Sequence, residues 1–268
     1  MYENNLKREL TQLAHSHGNN SHEFTSLHPD VSAESAVLFK EISFNFQKDS
    51  WLQIQKNKDY LNRTKKIHSH FKEIVSPVFE MQSSNSSDAL AMNIFCYPDF
   101  IKWKGIKTLF EVESFESIEF GFNPKIQKIV EGVITTDATE VDVFINGNII
   151  CECKLTETDF TSKEKKSVEC YGSFSKVFQV DKLIQNDKSY ANYQLIRNIL
   201  ATEQIQGRFI LICDMRRPDL AKSFYQTIRC IKDEFIELRT NCEIIYWQDI
   251  ANYSGKELKE FLNQKYGI

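Results

Sequence analysis

The chain has 268 residues, of which 41% are hydrophobic and 26% are charged, and its formal net charge is −4. This balance is typical of a globular protein and excludes a disordered chain. No apolar run approaches the roughly 18 residues of a membrane-spanning helix, no signal-peptide pattern is present, and the seven cysteines lack a disulfide-framework spacing, so we expect a cytoplasmic protein with free thiols and no membrane contact.

A helical pattern runs through the first 80 residues. Three leucines have the i, i+4, i+7 spacing of one helix face: Leu6, Leu10 and Leu13. A polar loop is expected at 16–29, and a second helical region, with breaks, is expected at 32–75. We therefore predict a helical N-terminal extension over residues 1–80 and a core domain over residues 81–268.

Strand and helix patterns alternate through the rest of the chain. The predicted strands are 117–122, 140–146, 149–155, 208–213 and 242–247. The predicted helices are 89–95, 187–204, an amphipathic segment marked by Leu220, Phe224, Ile228 and Ile231, and 256–265. Ser87 or Asp88 is the expected N-cap of the first of these helices, and a charged loop is expected at 156–167. This order predicts an α/β (α+β) fold in which helices flank a mixed β-sheet.

The tripeptide Asn-Gly-Asn at 146–148 indicates a hairpin between the two central strands, because Asn and Gly tolerate positive φ. Placing Asp142 opposite Glu152 requires a connection with an odd number of residues, since directly opposed residues share a face of the sheet. A three-residue loop at 146–148 meets this condition. The same register places six residues together on the other face: Val141, Val143, Ile145, Ile149, Cys151 and Cys153. Core burial and a shared carboxylate face therefore require one and the same register.

Asp142, Glu152 and Lys154 share the face opposite to these core residues. Charged groups are rare in apolar strands unless they are paired or bind metal. Two facing carboxylates repel each other unless a cation lies between them, and Mg²⁺ prefers oxygen ligands. We therefore predict that Asp142, Glu152 and the backbone carbonyl of Cys153 bind Mg²⁺, with Mn²⁺ as a substitute. Lys154 is placed to orient or deprotonate a water molecule, or to stabilise developing negative charge.

An Asp followed, after a short hairpin, by Glu-x-Lys on an apolar strand resembles the PD-(D/E)XK, or restriction-endonuclease-like, nuclease superfamily. The match consists of Asp142, Glu152 and Lys154, with Cys153 as x. Val141 stands where the superfamily often has Pro. The order of strands and helices over residues 80–250 matches as well, and the segments 87–95 and 154–160 resemble a bacterial restriction-enzyme-like subgroup. The resemblance implies a restriction-endonuclease-like core and a metal-dependent nuclease.

Gln194 and Asn198 stand at i and i+4 on one face of the helix predicted at 187–204. Several branches of the superfamily carry a Gln-containing helix beside the active site. The resemblance therefore implies a catalytic role for Gln194, support from Asn198 and a phosphate contact for Arg197. It also implies a further acidic or polar residue from the first core helix, for which the candidates are Glu80, Asp88 and Asn93, with Glu113, Glu119 and Glu131 also open.

Structural interpretations stand beside these functional ones. In the structural interpretation, a cross-strand salt bridge on a solvent-facing sheet joins Asp142, Glu152 and Lys154. Phe144 and Ile150 on that face argue against full exposure. A solvated helix face explains Gln194, Arg197 and Asn198 about as well as a functional one does.

For the other charged and metal-ligating residues, the sequence favours a structural interpretation over a functional one. The run at 163–166, Lys-Glu-Lys-Lys, is typical of a solvated loop, but it follows the motif and is placed to meet a backbone phosphate. Arg216 and Arg217 are expected to serve the loop after a strand. The histidines all lie at or before position 70, and neither they nor Cys151-x-Cys153 match a zinc spacing. No phosphate-binding glycine loop or nucleophile elbow is present.

The resemblance implies a Mg²⁺-dependent deoxyribonuclease, a phosphodiester hydrolase that acts as an endonuclease on DNA in restriction or anti-phage defence. The net charge argues mildly against a nucleic-acid binder, although a local basic face or bound metal ions would offset it. The alternative is a nuclease-like fold that binds nucleic acid or protein without cutting, or a subunit of a defence or repair assembly. An endonuclease that cuts at two sites is expected to act as a homodimer.

Overall fold

The computed structural model describes residues 2–18, 36–67 and 78–268. Packing divides the chain into two compact units. The first comprises Met1–Phe115, Asp214–Arg216 and Tyr246–Ile268, and the second comprises Glu116–Cys213 and Arg217–Ile245. The predicted division between residues 80 and 81 stays a prediction.

The elements follow in chain order, within the described residues. The α-helices are α1 (Tyr2–Gly18), α2 (Lys48–Lys56), α3 (Lys58–Arg63), α4 (Ser87–Phe95), α5 (Lys104–Leu109), α6 (Lys165–Glu169), α7 (Phe174–Val177), α8 (Tyr193–Ile205), α9 (Pro218–Ile228), α10 (Ile236–Thr240), α11 (Trp247–Tyr253) and α12 (Lys256–Tyr266). The strands are β1 (Ile118–Phe122), β2 (Gln127–Val130), β3 (Val133–Thr136), β4 (Val141–Ile145), β5 (Ile149–Cys153), β6 (Lys163–Glu164), β7 (Ser189–Tyr190), β8 (Arg208–Cys213) and β9 (Cys242–Tyr246). None of these helices has the length and apolar character needed to cross a bilayer.

Helix α1 of the first unit buries Leu6, Leu10 and Ala14. The predicted apolar face is therefore present, but Ala14 completes it and Leu13 is only half-buried. The helix continues through Gly18, so the predicted start of the loop at residue 16 is wrong. The remainder of that predicted loop lies outside the described residues.

The predicted helical region at 32–75 is broken into short pieces where the structure describes it. A 3-10 turn at Ile42–Asn45 precedes α2 and α3, and the segments 32–35 and 68–75 lie outside the described residues. Helix α2 begins where the Gln47 side chain accepts hydrogen bonds from two backbone N–H groups of the first turn. Such caps satisfy donors that the helix itself leaves unpaired, and they fix where it begins.

Helix α4 lies wholly in the core of the first unit, since all nine of its residues are buried. Its N-cap is Ser86, whose side chain accepts a hydrogen bond from the Ala89 backbone N–H. The predicted caps, Ser87 and Asp88, are instead the first two residues of the helix. The prediction is wrong by one residue for Ser87 and by two for Asp88, because several polar side chains precede the apolar run and only the backbone geometry selects among them.

The second unit is built on a five-stranded sheet with the strand order β1-β4-β5-β8-β9. Strands β1 and β5 each pair antiparallel with β4, whereas β5 pairs parallel with β8, so the sheet is mixed. Helix α8 packs on β5 and β8, and α9 packs on β8. The predicted α/β fold, with a mixed sheet flanked by helices and an N-terminal helix, is confirmed.

The hairpin of β4 and β5 has the predicted register. Its Cα partners are Val143 with Cys151, Phe144 with Ile150, and Ile145 with Ile149. The turn residues Asn146 and Gly147 have φ values of 52° and 73°, in the left-handed region that Asn and Gly adopt most readily. The six residues predicted for the core face are each at most 2% exposed, and the same register leaves Asp142 and Glu152 on the opposite face.

Helix α8 begins at Tyr193 and not at the predicted residue 187. Asn192, just before it, has φ 56°, which interrupts a right-handed helix. The backbone N–H groups of Tyr193 and Gln194 donate to the carbonyls of Thr161 and Phe160, each at 3.0 Å. Tertiary contacts therefore fix this helix start, and Ser189–Tyr190 forms strand β7 instead.

Two further predictions need correction, and the hairpin of β2 and β3 lies outside the sequence patterns. Helix α9 ends at Ile228, so Ile231 lies beyond it. The predicted loop at 156–167 contains β6 and the start of α6. The hairpin of β2 and β3 is not predicted, because its strands are largely exposed and lack the alternation that marks a half-buried strand.

Candidate active site

The candidate site lies at the C-terminal end of β5, where α8 packs against the sheet. Glu152 is on β5 and is 1% exposed, and Lys154 follows the strand and is 5% exposed. Helix α8 directs Gln194 and Asn198 to the same place. The second unit therefore brings four of the predicted residues into one hydrogen-bonded cluster.

Both carboxylate oxygens of Glu152 are engaged. Oε1 accepts a hydrogen bond from Gln194 Nε2 at 2.7 Å and lies 3.0 Å from Lys154 Nζ. Oε2 accepts from Asn198 Nδ2 at 2.7 Å and lies 3.7 Å from the Arg197 guanidinium. A buried carboxylate is costly unless it is paired and hydrogen-bonded. Here each oxygen has one cation and one amide donor close by.

Gln194 bridges the acidic and basic members of the cluster. Its Oε1 accepts a hydrogen bond from Lys154 Nζ at 3.0 Å, while its Nε2 donates to Glu152. The two contacts together determine which way the amide points. Lys154 Nζ also lies over the ring of Phe160, 5.7 Å from its centroid. Gln194 is half-buried, so it stands at the border between the cluster and solvent.

The neighbouring charged groups determine the protonation states of Glu152 and Lys154. Burial raises the pKa of Glu152, but the charges of Lys154 and Arg197 outweigh burial and hold that pKa below its usual value. Burial likewise acts to lower the pKa of Lys154, but nearby carboxylates, Glu152 first among them, raise it above its usual value. Both side chains are therefore ionised at neutral pH.

Asp142 lies on β4 beside this cluster and is half-buried. Its Oδ2 accepts a hydrogen bond from the Cys153 backbone N–H at 2.8 Å. This bond joins the two strands at the residue that follows Glu152. Asp142, Glu152 and the backbone of Cys153, the set predicted to bind Mg²⁺, thus occupy neighbouring positions of one hairpin.

Arg197 is turned into the protein. Its side chain is buried, and its Nε and an Nη atom donate to Asn198 Oδ1 at 3.0 and 2.8 Å. Because the carbonyl end of the Asn198 amide is held in this way, its Nδ2 faces Glu152. Arg197 therefore orients Asn198, and the phosphate contact implied by the resemblance stays a prediction.

Glu80, Asp88 and Asn93 lie in the first unit, and each has partners there. Glu80 and Asp88 form ion pairs with Lys66 at 2.9 and 3.4 Å. Asn93 is fully buried, and its side-chain amide donates to two backbone carbonyls at 3.0 and 2.8 Å. These contacts give each side chain a structural role, and a supporting role in catalysis stays a prediction.

The model of the family described as Restriction Endonuclease associating with ARP matches residues 8–267. The chain belongs to this family. No curated protein and no solved structure matches the chain. Membership of a restriction endonuclease family suggests a nuclease or a defence role, and it suggests DNA as the partner.

Asp142 and Glu152 supply carboxylate oxygens, the ligand type that a hard cation prefers. Mg²⁺ usually takes one or two protein carboxylates and completes its octahedron with water and phosphate oxygens. Glu152 Oε2 accepts a single hydrogen bond, from Asn198, which leaves a lone pair on that oxygen. Among residues 2–18, 36–67 and 78–268, no group of three His, Cys, Asp or Glu side chains is placed to hold a metal. Two carboxylates with a backbone oxygen suit Mg²⁺ better than Zn²⁺.

Arg217 holds the loop that follows Lys154. It is fully buried, and its Nη atoms donate to the carbonyls of Leu155, Glu157 and Thr158 at 3.2, 2.9 and 3.3 Å. Buried backbone carbonyls need partners, and one guanidinium supplies them for these three carbonyls. The sequence predicts a loop role for Arg217, but no local pattern shows that the loop is the one beside the candidate site.

Proposed function

We propose that this chain is a Mg²⁺-dependent endonuclease of the PD-(D/E)XK type, which hydrolyses phosphodiester bonds of DNA in restriction or anti-phage defence. The supporting observation is the cluster in which Glu152, Lys154 and Gln194 bond to one another on the hairpin that also carries Asp142. Membership of a restriction endonuclease family supports the same class of reaction.

In this proposal Asp142, Glu152 and the carbonyl of Cys153 hold the metal. When bound, Mg²⁺, or Mn²⁺ in its place, supplies positive charge at the scissile phosphate and makes a coordinated water molecule more acidic. Glu152 serves as a ligand and not as a proton carrier, because its lowered pKa keeps it ionised. Gln194 and Asn198 hold its two oxygens in place, as partners of metal ligands commonly do.

Lys154 acts as a donor. Its raised pKa keeps the amine protonated, so it orients the attacking water by a hydrogen bond and stabilises the negative charge that develops on the phosphate. Deprotonation of the water by Lys154, the other role considered from the sequence, needs a neutral amine. The surrounding carboxylates disfavour that form.

Cleavage of supercoiled plasmid, linear duplex and single strands in Mg²⁺, Mn²⁺ or EDTA tests the proposal. We expect the native protein to cut with either metal and not in EDTA, and we expect Asp142→Ala and Lys154→Ala to lower the rate by about 10²-fold or more. Glu260→Gln, which changes an exposed carboxylate of α12, is the control and should retain the native rate. Cutting that persists in EDTA, or in both alanine variants, contradicts the proposal.

A second candidate is a subunit of a larger assembly that binds nucleic acid or protein without cutting by itself. The family description favours it, because that description names an association with ARP. Size-exclusion chromatography of the isolated chain, with and without DNA, distinguishes the two. A dimer that binds and cuts DNA supports a self-sufficient homodimeric nuclease. A monomer that binds DNA but cuts none of the substrates supports the assembly subunit.

A further inference from the structure

A small ribbon of lysines follows the candidate site along the chain. Strand β6 pairs antiparallel with β7, and the backbone N–H of Lys165 donates to the carbonyl of Lys188 at 2.9 Å. This pairing brings together lysines that are separated in sequence. The lysine ribbon, as we call it, consists of Lys163, Lys165, Lys166 and Lys188.

Two lysines of the ribbon lie against tyrosine rings. Lys163 Nζ is 5.8 Å from the ring centroid of Tyr193, and Lys165 Nζ is 5.4 Å from that of Tyr190. Both rings are buried, whereas Lys163 is exposed and Lys165 is partly exposed. Each ammonium group therefore lies over a buried ring that favours its position, while the lysine itself remains accessible to solvent. A side chain that is already ordered loses less entropy when it binds a ligand.

The ammonium groups of the ribbon are available to an external anion. Lys166 and Lys188 are exposed, and within the part of the chain that the structure describes, none of the four lysines forms an ion pair with a carboxylate. Glu164 and Asp187 lie in the same segment, so the local excess of positive charge is small. Recognition must therefore depend on individual lysines at fixed positions.

Short backbone links connect the lysine ribbon to the candidate site. Lys154 lies over the ring of Phe160, and the Phe160 carbonyl accepts a hydrogen bond from the Gln194 N–H at 3.0 Å. The ring under Lys163 belongs to Tyr193, which directly precedes Gln194. One continuous segment thus runs from the proposed catalytic lysine to the first lysine of the ribbon.

We propose that the lysine ribbon binds the sugar–phosphate backbone of the nucleic acid that the candidate site cuts. The inference rests on the proposed function for the identity of the ligand. Lysine is a compact cation that contacts phosphate without reading bases. The ribbon therefore sets the position of the strand and supplies affinity that depends on salt but not on sequence. A basic contact surface of this kind is compatible with a net charge of −4 on the whole chain.

Fluorescence anisotropy with a labelled DNA duplex tests the ribbon without requiring cleavage. Binding is measured in EDTA and in Ca²⁺, over about 50 to 200 mM salt, for the native protein and for the variant with Lys163, Lys165, Lys166 and Lys188 replaced by alanine. The control variant replaces four exposed lysines of the first unit by alanine and changes the net charge equally: Lys56, Lys58, Lys104 and Lys256. Circular dichroism checks that all three proteins are folded.

We expect the ribbon variant to bind the duplex at least about 10-fold more weakly than the native protein does. The slope of the logarithm of the binding constant against log salt should decrease in magnitude by about 0.9 for each phosphate that the variant no longer neutralises. The control variant should match the native protein within about twofold. Equal affinities and equal slopes for native and ribbon variant overturn the inference and leave the proposed cleavage untouched. Ribbon-dependent binding by a protein that never cuts contradicts the proposed function and supports the ribbon. A native protein that binds no nucleic acid overturns both.

Discussion

The charge of Glu152 is retained in the protein interior by four neighbours. Lys154 and Arg197 place cationic groups at 3.0 and 3.7 Å from its oxygens, and two amides donate to it at 2.7 Å. An intact buried ion pair adds little net stability, but removing one partner leaves an uncompensated charge in the interior. Glu152 and Lys154 therefore depend on each other for stability as well as for the proposed chemistry.

Replacing Glu152 by Gln should lower the free energy of unfolding by about 3–5 kcal/mol at neutral pH, because Lys154 then lacks its closest carboxylate. The folded pKa of Glu152 lies below its usual 4.5. Its ionised form therefore contributes stability that is fully present above that value and is lost as pH falls through the folded pKa. Urea unfolding of both proteins should show a difference that is constant near neutral pH and narrows in acid.

The control for this experiment is Glu260→Gln, which should stay within about 0.5 kcal/mol of the native protein. Glu260 is exposed, and its ammonium partner lies 3.8 Å away on the surface of α12. A difference between native protein and Glu152→Gln that widens on acidification would show that the folded pKa of Glu152 is raised. That outcome contradicts the charge assignment on which its role as a ligand depends.

The connection between α8 and β8 joins the helix of the candidate site to the hairpin. The helix ends at Ile205, its C-cap residue Gln206 has φ 52°, and the N–H of Gly207 donates to the Thr202 carbonyl at 3.0 Å. The next N–H, of Arg208, donates at 2.9 Å to the carbonyl of Asn148 in the hairpin turn. The residues on α8 and those on β5 are therefore positioned by one shared set of backbone contacts.

Gly207→Ala should destabilise the protein by about 1–3 kcal/mol or more, as overpacking does. A Cβ atom at this position would lie 2.0 Å from the carbonyl oxygen of Asn148, so the backbone would have to move. Thermal unfolding followed by circular dichroism measures the effect. Gly172→Ala is the matched control, because its added Cβ would lie 3.7 Å from its nearest neighbour, Ile129, an ordinary contact. Equal melting temperatures for the two variants contradict this account.

At the scale of the whole molecule, all seven cysteines are free thiols, as the sequence predicts. Six are buried, and Cys170 is partly exposed. Cys151 and Cys153 lie on the core face of β5, so they contribute to packing and their side chains do not face the candidate metal ligands. Burial raises the pKa of the Cys242 thiol to about 12. Because the thiolate is the reactive form, the Cys242 thiol is protected both from solvent and from ionisation.

A thiol reagent such as Ellman's reagent should modify about one cysteine per native chain, at Cys170, and all seven in denaturant. Cys170→Ser should abolish the fast reaction of the native protein without changing its stability by more than about 0.5 kcal/mol. Rapid reaction of several thiols in the native protein would contradict the compact cores of the two units. Protein unfolded in urea serves as the reference for the total.

Short-range periodicity is sufficient to predict much of this chain. The alternation of β4 and β5, together with a three-residue turn, predicts the register that places Asp142 and Glu152 beside each other. The i, i+4 spacing of Gln194 and Asn198 predicts that they share a helix face. These features depend on residues within a few positions of each other, and each follows from the periodicity of a strand or a helix.

Other features depend on packing between distant segments. Gln194 and Glu152 are 42 positions apart, and Arg217 contacts carbonyls about 60 positions away. Such contacts require the parallel pairing of β5 with β8 and the docking of α8, which leave no local pattern in the sequence. The inward turn of Arg197 and the protonated state of Lys154 follow from those contacts. Charge and hydrogen bonding in a buried cluster are set by every neighbour at once, and only the tertiary structure identifies these neighbours.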